Sequence, residues 1–237
     1  MRGLRPHPCS SSYRGGNTPY SNQADVEFYG QFDSTDFDDK GYDYAAGIQK
    51  AITDADRQID EYCHVPEQFF TVGGIEIQHE YLNGVDIAYI GGIVKFFPWY
   101  YGGHSHLTFK HKPVLSVTKF EEETSAGAWT TRTEGASSDY VVVDDGVRFV
   151  QNVPAYKYKN VRVTYKAGYL LTPGVVQEAS GRLAAAILRN VLDASKQHNP
   201  SLPATFTTPK TSLLDDLLSD SIKTRLQNYC QPIYAFG

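Results

Sequence analysis

Cysteine, methionine and tryptophan are scarce in this chain, with three, one and two residues among 237. Cys9, Cys63 and Cys230 lie far apart without a Cys-x-x-Cys spacing, which argues against a disulfide framework or a thiolate zinc site and reads as three free thiols. Cys63 beside His64 makes a poor nucleophile–base pair, because adjacent helical residues point in different directions. Long apolar runs are also lacking: residues 91–98 and 183–188 are the longest, well short of the ~18 needed to cross a bilayer, so no membrane partner is expected. The N-terminus has Arg2 and Arg5 but places Pro6, Pro8, Cys9 and serines where a secretory leader has its apolar stretch, so folding in a cytoplasm is the expectation. Excess positive charge is missing as well. The formal charge of -5, from 22 basic and 27 acidic residues, argues against a sequence-independent binder of duplex DNA, which must displace phosphate counterions.

Catalytic signatures are equally sparse. There is no Gly-x-Ser-x-Gly elbow, and the glycine pairs starting at 15, 73, 91 and 102 never extend into a phosphate-binding loop. The doublets Asp38-Asp39, Asp144-Asp145 and Asp215-Asp216 read as solvated charge. His104 and His106 would share a face if they lie on a strand, which makes them weak candidates for a metal, but no third ligand is apparent and His111 would face the other way. No enzyme activity, cofactor or resident metal is expected.

What is present is enough apolar material for a sizeable core, at 41% hydrophobic and 13% aromatic. Residues 1–32, rich in Ser, Gly, Asn, Tyr and Pro, read as a flexible N-terminal arm. From Tyr44 to Tyr62 the positions Ile48, Ala51, Ile52, Ala55 and Ile59 step by three or four, with Lys50, Asp54, Arg57 and Asp60 assigned to the solvent side, which predicts an amphipathic helix. Between about 68 and 169 the period changes to two. Ile75, Ile77, His79 and Tyr81 alternate with polar residues, and a hairpin at Asn83-Gly84 is expected to set Tyr81 opposite Val85 and His79 opposite Ile87. Further strands are expected at 114–120, at 140–143 turning through Asp145-Gly146 into 147–150, and at 161–165. Residues 121–139 read as an exposed loop holding Trp129, an anchor for a contact or a residue that folds back on its own sheet. Thr172-Pro173, with Thr172 as candidate cap, opens a second helix to residue 197, and its small residues Ala179, Gly181, Ala184, Ala185 and Ala186 would admit another backbone closely. Residues 204–237 form a separate C-terminal segment, with Leu213, Leu214, Leu217, Leu218, Ile222 and Leu226 at helical spacing and an aromatic tail containing Tyr234 and Phe236.

The expected fold is therefore α+β: two long helices flanking an inserted small antiparallel β domain, with extended N- and C-terminal arms, the core occupying 33–203. Seventeen tyrosines and the run Phe96-Phe97-Pro98-Trp99-Tyr100-Tyr101 suit protein interfaces, and also allow a tail-peripheral or carbohydrate-binding module that stacks sugars.

Four short motifs follow one another in order: Ile59-Asp60-Glu61-Tyr62-Cys63, Pro113-Val114-x-Ser116-Val117, Val163-Thr164-Tyr165-x-Ala167-Gly168-Tyr169, and the helix opened by Pro173. Over about Asp43 to Gln197 this pattern resembles the head–tail connector (adaptor) proteins of tailed bacteriophages. The resemblance implies a structural virion protein at the head–tail junction, assembled in the host cytoplasm. Its copies would form a homo-oligomeric ring, usually of about twelve, beneath the portal protein, with heterologous contacts around a cyclic axis. A tail or stopper protein would bind below, and packaged DNA would pass through without sequence recognition. It further implies portal docking by Leu213, Leu214, Leu217, Leu218, Ile222, Leu226, Tyr234 and Phe236, and neighbour contacts by Phe97, Trp99, Tyr100, Tyr101 and Trp129. Deleting 204–237 is then expected to leave a folded core that no longer joins capsids.

Overall fold

The alternation of Val161, Val163, Tyr165 and Ala167 places four apolar side chains on one face of a single strand, and all four are fully buried. In the computed structural model, which describes residues 18–38, 43–83, 88–90, 104–151, 153–154, 159–197 and 218–231, this strand sits at the centre of a sheet. The chain divides into two compact units, one containing Gly74–Gly168 and the other formed by the segments on either side of it, ending at Gly73 and resuming at Tyr169.

The inserted unit holds two four-stranded antiparallel sheets. The first has the order β1 (Ile75–Leu82), β8 (Val161–Ala167), β4 (Val114–Ser125), β5 (Ala128–Thr131). The second has the order β2 (Ala88–Ile90), β3 (His104–Thr108), β7 (Gly146–Phe149), β6 (Tyr140–Val143). Phe120 of β4 lies 5.0 Å from the Tyr140 ring and 5.7 Å from the Phe149 ring, so aromatic side chains from both sheets fill a common core. Asp144-Asp145 forms the two-residue turn between β6 and β7, pairing Val143 with Gly146. Gly146 has φ +155°, and a Cβ there would stand 2.1 Å from the carbonyl oxygen of Leu107, so only glycine fits.

The second unit is helical. Asn22 and Asp25 close a capping box at the start of α1 (Gln23–Gly30), followed by the single turn α2 (Thr35–Asp38). Asp43 caps α3 (Tyr44–Cys63) by accepting from the Ala46 N–H, and His64 ends it in the left-handed conformation just before Pro66. In α4 (Gly174–Gln197), Val176, Ala179, Leu183, Ala184, Ile187 and Leu188 are buried, and the small residues do admit a neighbour. A Cβ on Gly181 would come within 2.9 Å of the Tyr29 ring of α1. The last helix, α5 (Asp220–Gln227), buries Ile222 and Leu226.

Among the described residues, two four-stranded sheets and three further helices overturn the expected architecture of two long helices flanking one small antiparallel β domain. Local periodicity marks each strand but cannot say whether the strands share one sheet, because that choice is made by pairing between residues distant in sequence. The partners expected for Tyr81 and His79 across the Asn83-Gly84 hairpin, Val85 and Ile87, lie outside the described residues. β1 pairs with β8, Ile77 opposite Tyr165, whereas β2 joins β3 in the other sheet. A bulge at His79, with φ +57°, re-phases β1 so that Glu80 accepts hydrogen bonds from the Tyr165 hydroxyl and the Lys110 N–H. The expected exposed loop at 121–139 is instead largely the β4–β5 hairpin. Residues 18–30, read as part of an extended arm, are anchored: Tyr20 and Val26 are buried and α1 packs on α4. Composition missed this because a short polar segment needs only two or three apolar anchors to be held. Thr172 is not in the capping position, since α4 begins at Gly174 and the Val176 and Gln177 N–H groups donate to the Pro173 carbonyl; the Thr172 hydroxyl donates to the Phe70 carbonyl at 2.9 Å.

Candidate functional site

The strand register of the first sheet brings Tyr81, Arg162 and Glu121 into one row, Tyr81 opposite Arg162 and Arg162 opposite Glu121. These side chains occupy the face opposite Val161, Val163 and Tyr165, turned away from the core. Trp129 of β5, opposite Glu123 and so on the same face two residues along, leans onto this row, its ring 6.1 Å from Tyr81 and carrying the Arg162 guanidinium 4.5 Å above its centroid. Arg162 Nε and Nη2 both reach Glu121 Oε2 at 2.8 Å, and Lys119 Nζ reaches the other oxygen at 2.8 Å. Arginine held between an aromatic ring and a carboxylate keeps its shape, so the row is a preorganised surface of the residue types that dominate protein interfaces. Because one face of the indole is taken by Arg162, stacking of a sugar on Trp129 has lost half its platform. Residues 121–131 hid this signal in the sequence, where three glutamates resemble a solvated loop.

The helical unit presents a second surface. The segments after α3 and before α4 run side by side: Val72 bridges Tyr169, and the Gly73 N–H donates to the Tyr169 carbonyl at 3.0 Å. Below this junction Phe70 stacks on Tyr169 at 5.7 Å, and Tyr229 meets both rings edge-on at 6.2 and 5.6 Å. Above it Val72, Leu170 and Leu171 are 53%, 72% and 75% exposed. Three adjoining aliphatic side chains directed at solvent, on a base this firmly packed, form a preformed apolar tip.

Within the same unit lies a buried polar network that ties the segment before α1 to α3 and α4. The Tyr20 hydroxyl donates to Asp60 Oδ1 at 2.6 Å and accepts from the Phe70 N–H at 3.1 Å. Asp56 accepts from the Tyr20 N–H at 3.0 Å and from the Ser180 hydroxyl at 2.6 Å. Burial pushes the Asp60 carboxyl up to about 8 against the opposing effect of its hydrogen bonds, and raises Asp56 to about 6. Each carboxylate oxygen described here has a structural partner, so the network braces the fold and offers no free base. The helical stripe Ile52, Asp56, Ile59, Cys63 carries the clue that this face is buried, and Asp60, expected on the solvent side, is buried beside it.

The predicted docking residues separate. Leu218, Ile222 and Leu226 are 4%, 3% and 0% exposed, packed against their own unit and unavailable to a portal in this conformation. Leu213, Leu214, Leu217, Tyr234 and Phe236 lie outside the described residues, as do Phe97, Trp99, Tyr100 and Tyr101. Of the two histidines weighed as metal ligands, His104 is placed only by its backbone on β3, and His106 Nε2 sits 2.9 Å from Asp145 Oδ1, without the alignment of a hydrogen bond. No cluster of three or more His, Cys, Asp or Glu with metal-binding geometry occurs among the described residues. No described helix is long and apolar enough to cross a membrane. The sequence matches no known protein-family model and no characterised protein.

Proposed function

We propose that this chain is a structural assembly protein of the head–tail connector kind, whose copies join into a ring beneath the portal of a tailed bacteriophage, carry the tail, and leave a passage for DNA. The observation that carries the reading is the exposed tip Val72, Leu170 and Leu171, in which the two leucines directly follow the Val163–Tyr169 motif and Val72 bridges its Tyr169. Three aliphatic side chains in water give up roughly 1.5–3 kcal/mol each if fully buried. Covering them by a neighbouring copy supplies an interface that repeats around a cyclic axis. The scaffold expected of that family is not what this chain builds, so the proposal rests on the motifs and on the surfaces themselves.

In this reading the row Tyr81, Arg162, Trp129 is the contact for a tail or stopper protein, because its aromatic and guanidinium groups are already held in place and lose little entropy on binding. Portal contact then belongs to the segment beyond Gln231, with Tyr234 and Phe236 as its aromatic candidates, while α5 acts as the anchor of that segment. The test is electron microscopy with mass measurement of the purified chain, alone and mixed with the portal of its virus. Rings seated on the portal are the expected result. A monomer that ignores the portal overturns the proposal.

A further inference from the structure

Cys63, the last residue of α3, and Cys230, three residues beyond α5, are brought together from opposite ends of the helical unit. The Cys230 S–H donates to the Tyr62 carbonyl at 3.7 Å and to that of Leu226 at 3.5 Å, which places it beside Cys63, the residue after Tyr62. The backbone is fixed at the same place, since the Gln231 N–H donates to the Cys63 carbonyl at 2.9 Å. Tyr229, the residue before Cys230, is clamped against Phe70 and Tyr169. The backbones on either side of the two cysteines are therefore fixed close together, and closeness of the two backbones is what lets a disulfide close without large movement.

The two thiols are not equivalent. Cys63 is fully buried and Cys230 half-buried. Its neighbour Cys230 and burial both raise the Cys63 thiol, whereas the Cys63 side chain lowers that of Cys230. Being the less buried of the two, Cys230 is the reachable thiol and Cys63 the resolving thiol behind it.

The geometry points to Cys63 and Cys230 as an oxidisable pair that a low-molecular-weight disulfide, such as oxidised glutathione, converts into an intramolecular disulfide joining α3 to the end of α5. The Cys230 thiolate attacks one sulfur of the small disulfide, forming a mixed disulfide and expelling one small thiolate. Cys63 then gives its proton to solvent, and its sulfur attacks Cys230 and expels the second small thiolate, which takes up a proton. Two protein thiols are oxidised and one small disulfide is reduced to two small thiols. The product is a covalent staple on the C-terminal helix, formed when the protein passes from a reducing to an oxidising environment.

The experiment uses the full chain carrying Cys9→Ser, treated in native buffer with oxidised glutathione. The expected result is loss of both remaining thiols, an intact mass lower by two hydrogens with no glutathione retained, a monomer on a non-reducing gel, and a peptide linking Cys63 to Cys230. Proteolytic release of the C-terminal segment should then slow by on the order of tenfold and recover on reduction. In Cys63→Ser the reaction should stop at one glutathione on Cys230. Should that variant fail to fold, Cys230→Ser provides the same test through a Cys63 that no longer reacts in the folded chain. Persistent mixed disulfide in the Cys9→Ser protein, thiols that resist oxidation, or linkage between two chains would each overturn the inference.

Discussion

The hydroxyl of Tyr20 lies 2.6 Å from Asp60 Oδ1, a hydrogen bond between residues 40 positions apart in which both groups are removed from solvent. The same hydroxyl accepts from the Phe70 N–H, so one oxygen joins the N-terminal segment, α3 and the strap that follows α3. Tyr20→Phe removes that oxygen while keeping the ring that packs on Phe70. Leaving a buried N–H and a carboxylate oxygen short of a partner costs about 1–3 kcal/mol, which a urea midpoint should register as a loss of stability. An unchanged midpoint would remove the network from the account of how the ends are held.

The pH dependence follows from the raised carboxyl groups. Asp60, about 8 when folded against 3.8 ordinarily, keeps its proton in the folded state long after the unfolded chain has lost it. The folded state binds more protons in that window, so this group's contribution to stability is fully present below about pH 4 and is lost progressively as pH rises towards 8. Asp56, raised to about 6, acts in the same direction over the lower part of the window. Asp60→Asn should therefore flatten the fall in melting temperature between these limits relative to wild type. Parallel profiles would assign the titration elsewhere.

Gly146→Ala should destabilise the sheet unit by roughly 2–3 kcal/mol, because a methyl group 2.1 Å from the Leu107 carbonyl at φ +155° cannot be accommodated without moving backbone. Its effect is read as a lower denaturant midpoint. A wild-type midpoint would mean the β6–β7 turn relaxes freely.

Leu170→Ser combined with Leu171→Ser should leave the monomer's melting temperature nearly unchanged, since exposed positions typically contribute within about 0.5 kcal/mol. The same variant should fail to assemble on the portal. Normal assembly would move the contact between copies away from this tip.

Removal of 204–237 should not leave an intact core, in contrast to what the sequence expectation held. Leu218, Ile222 and Leu226 are buried, and Tyr229 completes the Phe70–Tyr169 cluster. Exposing their partners costs on the order of 1.5–3 kcal/mol for each aliphatic side chain. Loss of cooperative unfolding or aggregation is the expected outcome, and a deletion ending at Gln231 is the variant that separates portal docking from folding.

By itself the sequence determined the local elements. The step of three or four in Ile48, Ala51, Ile52, Ala55 and Ile59 specified α3, and the alternation of Val161, Val163 and Tyr165 specified β8. Asp145-Gly146 specified a turn, which the pairing of Val143 with Gly146 places one residue earlier, at Asp144-Asp145. Each of these is set by neighbours a few residues apart, through backbone geometry and the placement of apolar side chains. Only the tertiary structure decided that β1 pairs with β8 and β2 with β3, that Asp56 and Asp60 face inward, that the last helix covers its own core, and that Arg162 rests on Trp129. Those outcomes depend on pairing and packing between residues tens of positions apart. Periodicity says which side of an element is apolar, but the partner that covers it is chosen by the competition among all such sides to leave water.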